Sequence, residues 1–384
     1  MVNIQELVAV AKAAAIEAAD HQERFAAEDT EARKIVDTME RFLRIKKRIV
    51  YGGAAINAHL PDDKKFYDPT LYLPDYDFLT PDPLQDCADL LVAFQNEGFT
   101  DLEAKFGIHE GTYKVFVNFR PAADITYMPR DLYDRIRKDS TVIGGIHYAS
   151  VNYLRMNMYL ELSRPAGMVS RWEKVYERLL LLNEAHPLRP GRCAKETKGQ
   201  AVDRVVQIGM EEGAIFLSKD QPITLMITDR VNDLVARMRP LKATRYEAVG
   251  ELLPARVELY GPTLVGVIFE AVACHSYITL DSPKGYRIGS LDLLIQMYYA
   301  LYFADVADYL PIRPLCIIRD LIEMEMEGRA AVAKGKGSPH DVFPLECIGH
   351  QPTIPELKKA HRNRVAEKRK DLVKALRKTR RRRL

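Results

Sequence analysis

Long apolar runs are missing from this chain of 384 residues: none reaches the 18 or so that a membrane-spanning helix needs. A basic leader is missing too. The N-terminus reads Met1-Val-Asn-Ile-Gln-Glu6, so no signal peptide is read and a cytosolic protein is expected. Cysteine is sparse and scattered. Cys87, Cys193, Cys274, Cys316 and Cys347 form no CxxC pair, and no histidine cluster stands at zinc-ligand spacing. The five are expected as reduced core thiols. What is present is 47% hydrophobic residues, ample for packed cores, on a length that favours two or three domains.

A surplus of one charge is also absent, because the formal net charge is only +3. That balance hides an asymmetry. Residues 356–384 hold 14 Lys or Arg against Glu356, Glu367 and Asp371, a net of +11, which leaves −8 on the remainder. The segment, ending Arg380-Arg-Arg-Arg-Leu384, suits a polyanion, while a nuclear localisation signal and simple solubility stand beside that reading. It lacks interleaved aromatics, so base stacking is not expected within it.

The chemistry concentrates between Tyr51 and Asp124. Arg48-Ile-Val-Tyr51 reads as a short strand running into Gly52-Gly53, where the lack of a Cβ lets backbone amides approach a polyphosphate. Asp75-Tyr-Asp-Phe-Leu79 reads as a strand whose two carboxylates share one face. Tyr113–Phe119 alternates like a half-buried strand, Arg120-Pro121 interrupts it, and Ala123-Asp-Ile-Thr-Tyr127 is its return, placing Asp124 beside the triplet. Hard divalent cations favour such carboxylates, and two of them can clamp an in-line phosphoryl displacement.

Elsewhere the readings are structural. Residues 1–48 are expected to be helical, with Thr30 capping a second helix over about 31–46. A long helix is expected over about 148–162, and Arg171, Lys174 and Arg178 form a basic stripe on the next one, facing either phosphates or paired Glu173 and Glu177. Glu323-Met-Glu-Met-Glu327 reads as an exposed helix, and His275 as a core histidine. Two echoes link the halves: Ala123–Tyr127 with Ala273–Tyr277, and Ser150–Leu154 with Ser290–Leu294. A true duplication would set Cys274 where Asp124 stands, in a copy with no Asp-x-Asp.

Tyr51-Gly-Gly-Ala-Ala-Ile-Asn57, Asp75-Tyr-Asp-Phe78, Met158-Tyr-Leu-Glu-Leu-Ser-Arg-Pro165 and Ser170-Arg-Trp-Glu-Lys-Val-Tyr-Glu-Arg178 together resemble the poly(A) polymerase catalytic subunits of large DNA viruses, of mimivirus-like more than poxvirus type. Ile288–Asp292 and Phe343–Gly349 extend the likeness, which spans most of 48–350. The resemblance implies an α/β (α+β) DNA polymerase beta type nucleotidyltransferase domain with a mixed sheet and flanking helices, followed by a C-terminal α/β domain that is a candidate degenerate copy. The expected divisions are an N-terminal helical segment 1–48, a catalytic domain 49–185, a second domain 186–350 and a basic tail 351–384. It further implies template-independent addition of AMP from ATP to RNA 3′ ends. Asp75, Asp77 and Asp124 would bind two magnesium or manganese ions, and Gly52, Gly53, Arg171 and Lys174 would contact the triphosphate. Lys368, Arg369, Lys370, Arg380, Arg381, Arg382 and Arg383 would hold RNA and poly(A). A homodimer or a processivity subunit, and a site of action in the host cytoplasm (viral factory) or virion, follow from the same likeness. A CCA-adding, uridylyl or small-molecule nucleotidyltransferase, or a non-catalytic RNA-binding scaffold, is the alternative.

Overall fold

The computed structural model describes residues 4–67, 76–193, 203–219, 222–228, 230–250, 252–280, 286–307, 310 and 313–381. The chain divides into two compact units, residues 1–150 with 353–384, and residues 151–352. The division thus falls at Ser150 and Val151, where the sequence suggested about 185, and the basic segment groups with the first unit.

The first unit opens with α1 (Ile4–Glu28) and α2 (Thr30–Lys46). Asp29, one residue before the expected Thr30, caps α2 by accepting from the amides of Glu31 and Ala32. Its carboxyl is held below the usual range by the Arg120 guanidinium and those amides. Ala32, Ile35, Met39, Phe42 and Leu43 recur at helical spacing and are buried, and Lys47 ends the helix in the left-handed region. Along α1 the side chains described from Ile4 to Ala19 are all exposed.

Next come β1 (Ile49–Tyr51), α3 (Gly52–His59), β2 (Tyr76–Thr80), α4 (Pro83–Asn96), β3 (Leu102–Phe106), β4 (Thr112–Val117), β5 (Arg120–Tyr127), α5 (Arg130–Lys138), β6 (Thr141–Ile143) and β7 (Ile146–Tyr148). They build a sheet of order β3-β4-β5-β2-β1-β7-β6. β2 runs parallel to β5 and antiparallel to β1, β1 runs parallel to β7, and the remaining neighbours are antiparallel. The hairpin turns at Asn118 and Phe119, both at positive φ, so Arg120 and Pro121 already belong to β5 rather than interrupting it. Behind the sheet, buried Asp86 on α4 accepts 2.7 and 2.9 Å bonds from Arg48 and a bond from Thr80, tying together the starts of β1 and α4 and the end of β2.

The second unit contains α6 (Val151–Leu162), α7 (Trp172–Ala185), α8 (Asp203–Glu211), β8 (Ile215–Ser218), β9 (Ile223–Ile227), α9 (Val231–Arg237), β10 (Lys242–Tyr246), β11 (Arg256–Tyr260), β12 (Leu264–Glu270), β13 (His275–Leu280), β14 (Tyr286–Gly289), α10 (Leu291–Ala304), α11 (Pro314–Ala333), α12 (Pro339–Val342) and β15 (Cys347–Ile348). Its sheet order is β10-β11-β12-β9-β8-β14-β13-β15. Leaving β15 aside, this is the first sheet's order with seven added to each strand number, and every pair keeps its sense, parallel for β9 with β12 and for β8 with β14. The chain therefore carries one sheet topology twice.

Register fixes which residues correspond. Pairing Val50 with Phe78 and Tyr148 matches pairing Phe216 with Leu225 and Ile288, so Ser150 corresponds to Ser290 and Lys47 to Gly213, which likewise takes positive φ before its strand. The Ser150 and Ser290 echo is structural. The other echo is not: Cys274 lies past the end of β12, and the residue matching Asp124 is Val267. Nor is Cys274 a free thiol. It is bonded to Cys347, and Cys193 to Cys316, leaving buried Cys87, whose thiol burial pushes up to about 11, as the free cysteine. Scattered positions hid both pairs, because the paired cysteines are 73 and 123 residues apart in sequence.

One helix also departs from expectation. On α11, Glu323 and Glu327 are exposed, but Glu325 is buried, ion-paired with Arg329 one turn on, and Arg329 in turn donates two 2.8 Å bonds to buried Asp292. The basic segment forms α13 (Ile354–Arg381), started by a reciprocal cap in which Thr353 and Glu356 bond each other's amides. His275 is buried as expected, and burial lowers its imidazole to about 4.

Candidate active site

Four residues line up across adjacent strands of the first sheet: Lys114 on β4, Asp124 on β5, Asp77 on β2 and Tyr51 on β1. Neighbouring strands lie about 4.8 Å apart and register partners point to the same face, so the two carboxylates stand side by side. The opposite face carries Phe78 and Ile125, both fully buried. Alternation therefore sends the aspartates outward because it sends the aromatic and aliphatic residues inward.

Gly52 closes the site. Its φ is +73°, and a Cβ there would stand 2.6 Å from the Asp77 Oδ2, so neither backbone nor space admits a side chain. Gly52 and Gly53 form the first turn of α3, whose amides have no partners within the helix and attract anions. Asn57 on α3 accepts from the amides of Phe66 (2.9 Å) and Tyr67 (3.0 Å) and donates to the Tyr67 carbonyl, fixing the chain that leads toward the Asp-x-Asp strand. His59 bonds the Ala149 carbonyl at 2.8 Å, anchoring the far end of the helix.

Asp75 lies outside the described residues. Among the described residues no group of three or more His, Cys, Asp or Glu is placed to hold a metal. The Asp77 and Asp124 pair nonetheless fits divalent ions of magnesium type: the donors are hard oxygens in register, and the cradle beside Asp77 is one that a Cβ would fill. Two partners escaped the sequence reading. The Lys114 ammonium is bonded to Asp124, and the Tyr51 hydroxyl shares a 2.9 Å bond with Thr126, two residues on along the same face. Alternation in Tyr113–Phe119 signalled the face of Lys114, but its pairing with Asp124 needed the register.

Arg171 and Lys174 belong to the second unit. Arg171 ends a short 3-10 turn and holds Glu161 of α6 at 2.6 Å, rather than Glu173 or Glu177, while Lys174 is exposed on α7. Lys368, Arg369, Lys370, Arg380 and Arg381 fall within α13, and Arg382 and Arg383 lie outside the described residues. No described helix is long and apolar enough to cross a membrane.

A mixed sheet with paired aspartates on adjacent strands and a glycine turn into a helix is an arrangement suited to divalent ions and the phosphates they accompany. Residues 37–168 match the model of the family described as poly(A) polymerase catalytic subunit. The chain resembles viral proteins of that description: it is 33% identical over 163 residues to a putative poly(A) polymerase catalytic subunit of Acanthamoeba polyphaga mimivirus, covering 41% of this chain and 27% of that protein. It is 27% identical over 159 residues to the counterpart in African swine fever virus, covering 40% and 33%. The matched region thus spans about a quarter to a third of the length of these relatives. The crystal structure of the Megavirus polyadenylate synthase shares the fold, with a TM-score of 0.77 over 97% of this chain and 85% of that one at 20% identity.

Proposed function

We propose that the protein is a template-independent poly(A) polymerase, adding AMP from ATP to RNA 3′ ends and releasing pyrophosphate. The observation that carries this reading is the in-register pair Asp77 and Asp124 beside the Gly52 cradle. Family and viral relatives described as poly(A) polymerase catalytic subunits support the choice of adenylate and RNA.

Asp75, Asp77 and Asp124 would hold the two divalent ions, which when bound acidify the 3′-hydroxyl and offset charge on the departing pyrophosphate. The protein's own task is placement. Gly52 and Gly53 present backbone amides to the triphosphate at the start of α3, and Lys114 balances the charge of Asp124 until the substrate and ions enter. Arg171 and Lys174 are proposed contacts to phosphate, and Lys368, Arg369, Lys370 and Arg380 to Arg383 contacts to the RNA backbone, sequence-independent and salt-sensitive. The relatives' description as catalytic subunits supports a partner polypeptide, which is either a second copy of this chain or a separate processivity subunit. Viral relatives support action in an infected cell, and the host cytoplasm is the proposed compartment.

Purified protein incubated with magnesium or manganese, an RNA primer and each nucleoside triphosphate separately should extend the primer with ATP alone. Extension with UTP or CTP would move the assignment to another nucleotidyltransferase, and no extension with any nucleotide would leave an RNA-binding scaffold.

A further inference from the structure

On the face of the first sheet opposite the aspartates, the strands carry a second, aromatic constellation. Phe106 on β3 pairs in register with Tyr113 on β4, and Tyr113 with Ile125 on β5, two residues before Tyr127. All four therefore point away from Lys114 and Asp124. Ile125 is fully buried, but at the strand ends the helical cover stops: Tyr127 is 48% exposed and Phe106 37%. The Phe106 and Tyr113 rings meet at 5.1 Å, tilted by 47°. Together with the Asp82 turn and the hairpin at Glu110, these rings line a cavity of about 570 Å³.

Its remaining wall is α13. His361 and Arg364 line the cavity, and Arg364 Nη2 donates 3.1 Å to the Ile108 carbonyl of the hairpin between β3 and β4, which holds the guanidinium against the opening. Basic residues continue along the same helix in both directions. The acidic groups present are Asp82, which Arg130 neutralises at 2.8 Å, and exposed Glu110. Exposed π-faces beside a guanidinium, at the mouth of a basic helix, are what bind the bases and backbone of a single strand.

We propose that this cavity is an accessory subsite for single-stranded RNA, in which nucleotides remote from the reacting 3′ end stack on Tyr127 and Phe106 while Arg364 and α13 follow the backbone. It deepens the proposed function, resting on RNA as the acceptor, and it supplies the stacking that the basic segment cannot provide from its own residues. The aromatic residues come from the sheet and the cations from the chain end, so the two halves of the subsite are more than 230 residues apart in sequence.

The test is fluorescence anisotropy of the full chain with labelled A20 and A5 oligoribonucleotides, without ATP or metal, so that it is independent of catalysis. Tyr127→Ala and Arg364→Ala should each weaken A20 binding about tenfold and A5 binding less, while Tyr127→Phe stays within about twofold of the parent. Unchanged A20 affinity in correctly folded Tyr127→Ala, as read by circular dichroism, would overturn the subsite. So would an equal loss for Tyr127→Phe, or photocrosslinking of 8-azido-ATP to Tyr127, which would make the cavity a mononucleotide site. A parent protein that binds A20 through Tyr127 yet extends no primer would instead overturn the polymerase reading and leave the subsite standing.

Discussion

The two units share a strand order and every pairing sense, yet among the described residues the carboxylates paired across neighbouring strands at these positions belong to the first. Where Lys114, Asp124 and Asp77 line up in the first sheet, the second has Glu258, Val267 and Thr224. Glu258 is buried and already committed, accepting from Arg256 at 3.0 Å and from Tyr260 at 2.7 Å, with the Tyr246 ring packed on Arg256. Between Ser218, where β8 ends, and Ile223, where β9 begins, the chain has four residues, too few to carry the eight-residue α3 that follows β1. Inward positions keep their character, Phe78 and Ile125 against Leu225 and Ile268, all buried. The difference teaches that the sheet is a scaffold set by its inward face, and that the chemistry resides in a few outward residues and one glycine turn, which can be exchanged without changing topology.

The largest effect that separates the units is chemical. Asp77→Asn should cut adenylate transfer by roughly 10³-fold with the circular dichroism spectrum intact, because it removes a carboxylate proposed to hold the divalent ions that offset charge in the transition state. Thr224→Ala at the matching position of the second sheet should alter transfer by less than about twofold. A Thr224→Ala loss comparable to that of Asp77→Asn would mean that the second sheet takes part in catalysis. Next in size is Gly52→Ala. The substitution drives a Cβ into the Asp77 carboxylate, and an ångström of displacement at a reacting centre can cost roughly 10²-fold in rate. Gly213→Ala isolates the backbone contribution: φ is +70° there, but the new Cβ meets only the end of Arg287 at 3.5 Å. It should lower stability by about 1–2 kcal/mol and leave kcat unaltered. Equal kcat losses for the two would show that backbone strain, not crowding of Asp77, governs the site.

Much of this was legible in local pattern. Asp77 and Asp124 fall on one face because alternation is a property of the strand itself, and the parallel register then sets them beside each other. The repeat was half legible: Ser150 and Ser290 precede matching helices, but Ala123–Tyr127 resembled a loop and strand start that is not its equivalent, since short apolar strings recur by chance while register does not. What sequence could not supply was pairing across distance. The disulfides, the Lys114 bond to Asp124 and the placement of α13 beside the β3 and β4 hairpin each join residues whose proximity is created by the fold. Glu325 is the instructive miss: an alternating acidic run looked solvated, whereas its middle member reaches Arg329 at i+4, a spacing that favours a pair on one helix face.

That buried cluster offers the smallest and most specific contrast. Around Arg329, Asp292 and Glu325 are both buried, with the rings of Tyr176 and Phe343 packed on the guanidinium at 4.4 and 3.9 Å. Burial raises the Glu325 carboxyl from 4.5 to about 7, because one guanidinium shared with Asp292 does not repay the loss of water. The folded chain then keeps a proton that the unfolded chain releases between pH 4.5 and 7. Stability attributable to this group is present below about pH 4.5, declines as pH rises through that window, and is fully lost above about 7. Between pH 5 and 8 the loss should be on the order of 1–3 kcal/mol. Glu325→Gln cannot ionise and should flatten that slope, as read from urea midpoints at the two pH values with a probe in the second unit, such as Trp172 fluorescence. A slope unchanged by Glu325→Gln would assign the titration to another group. A flattened one would mark Glu325 as an acid kept protonated by its own core, in the unit that keeps the scaffold without the in-register aspartates.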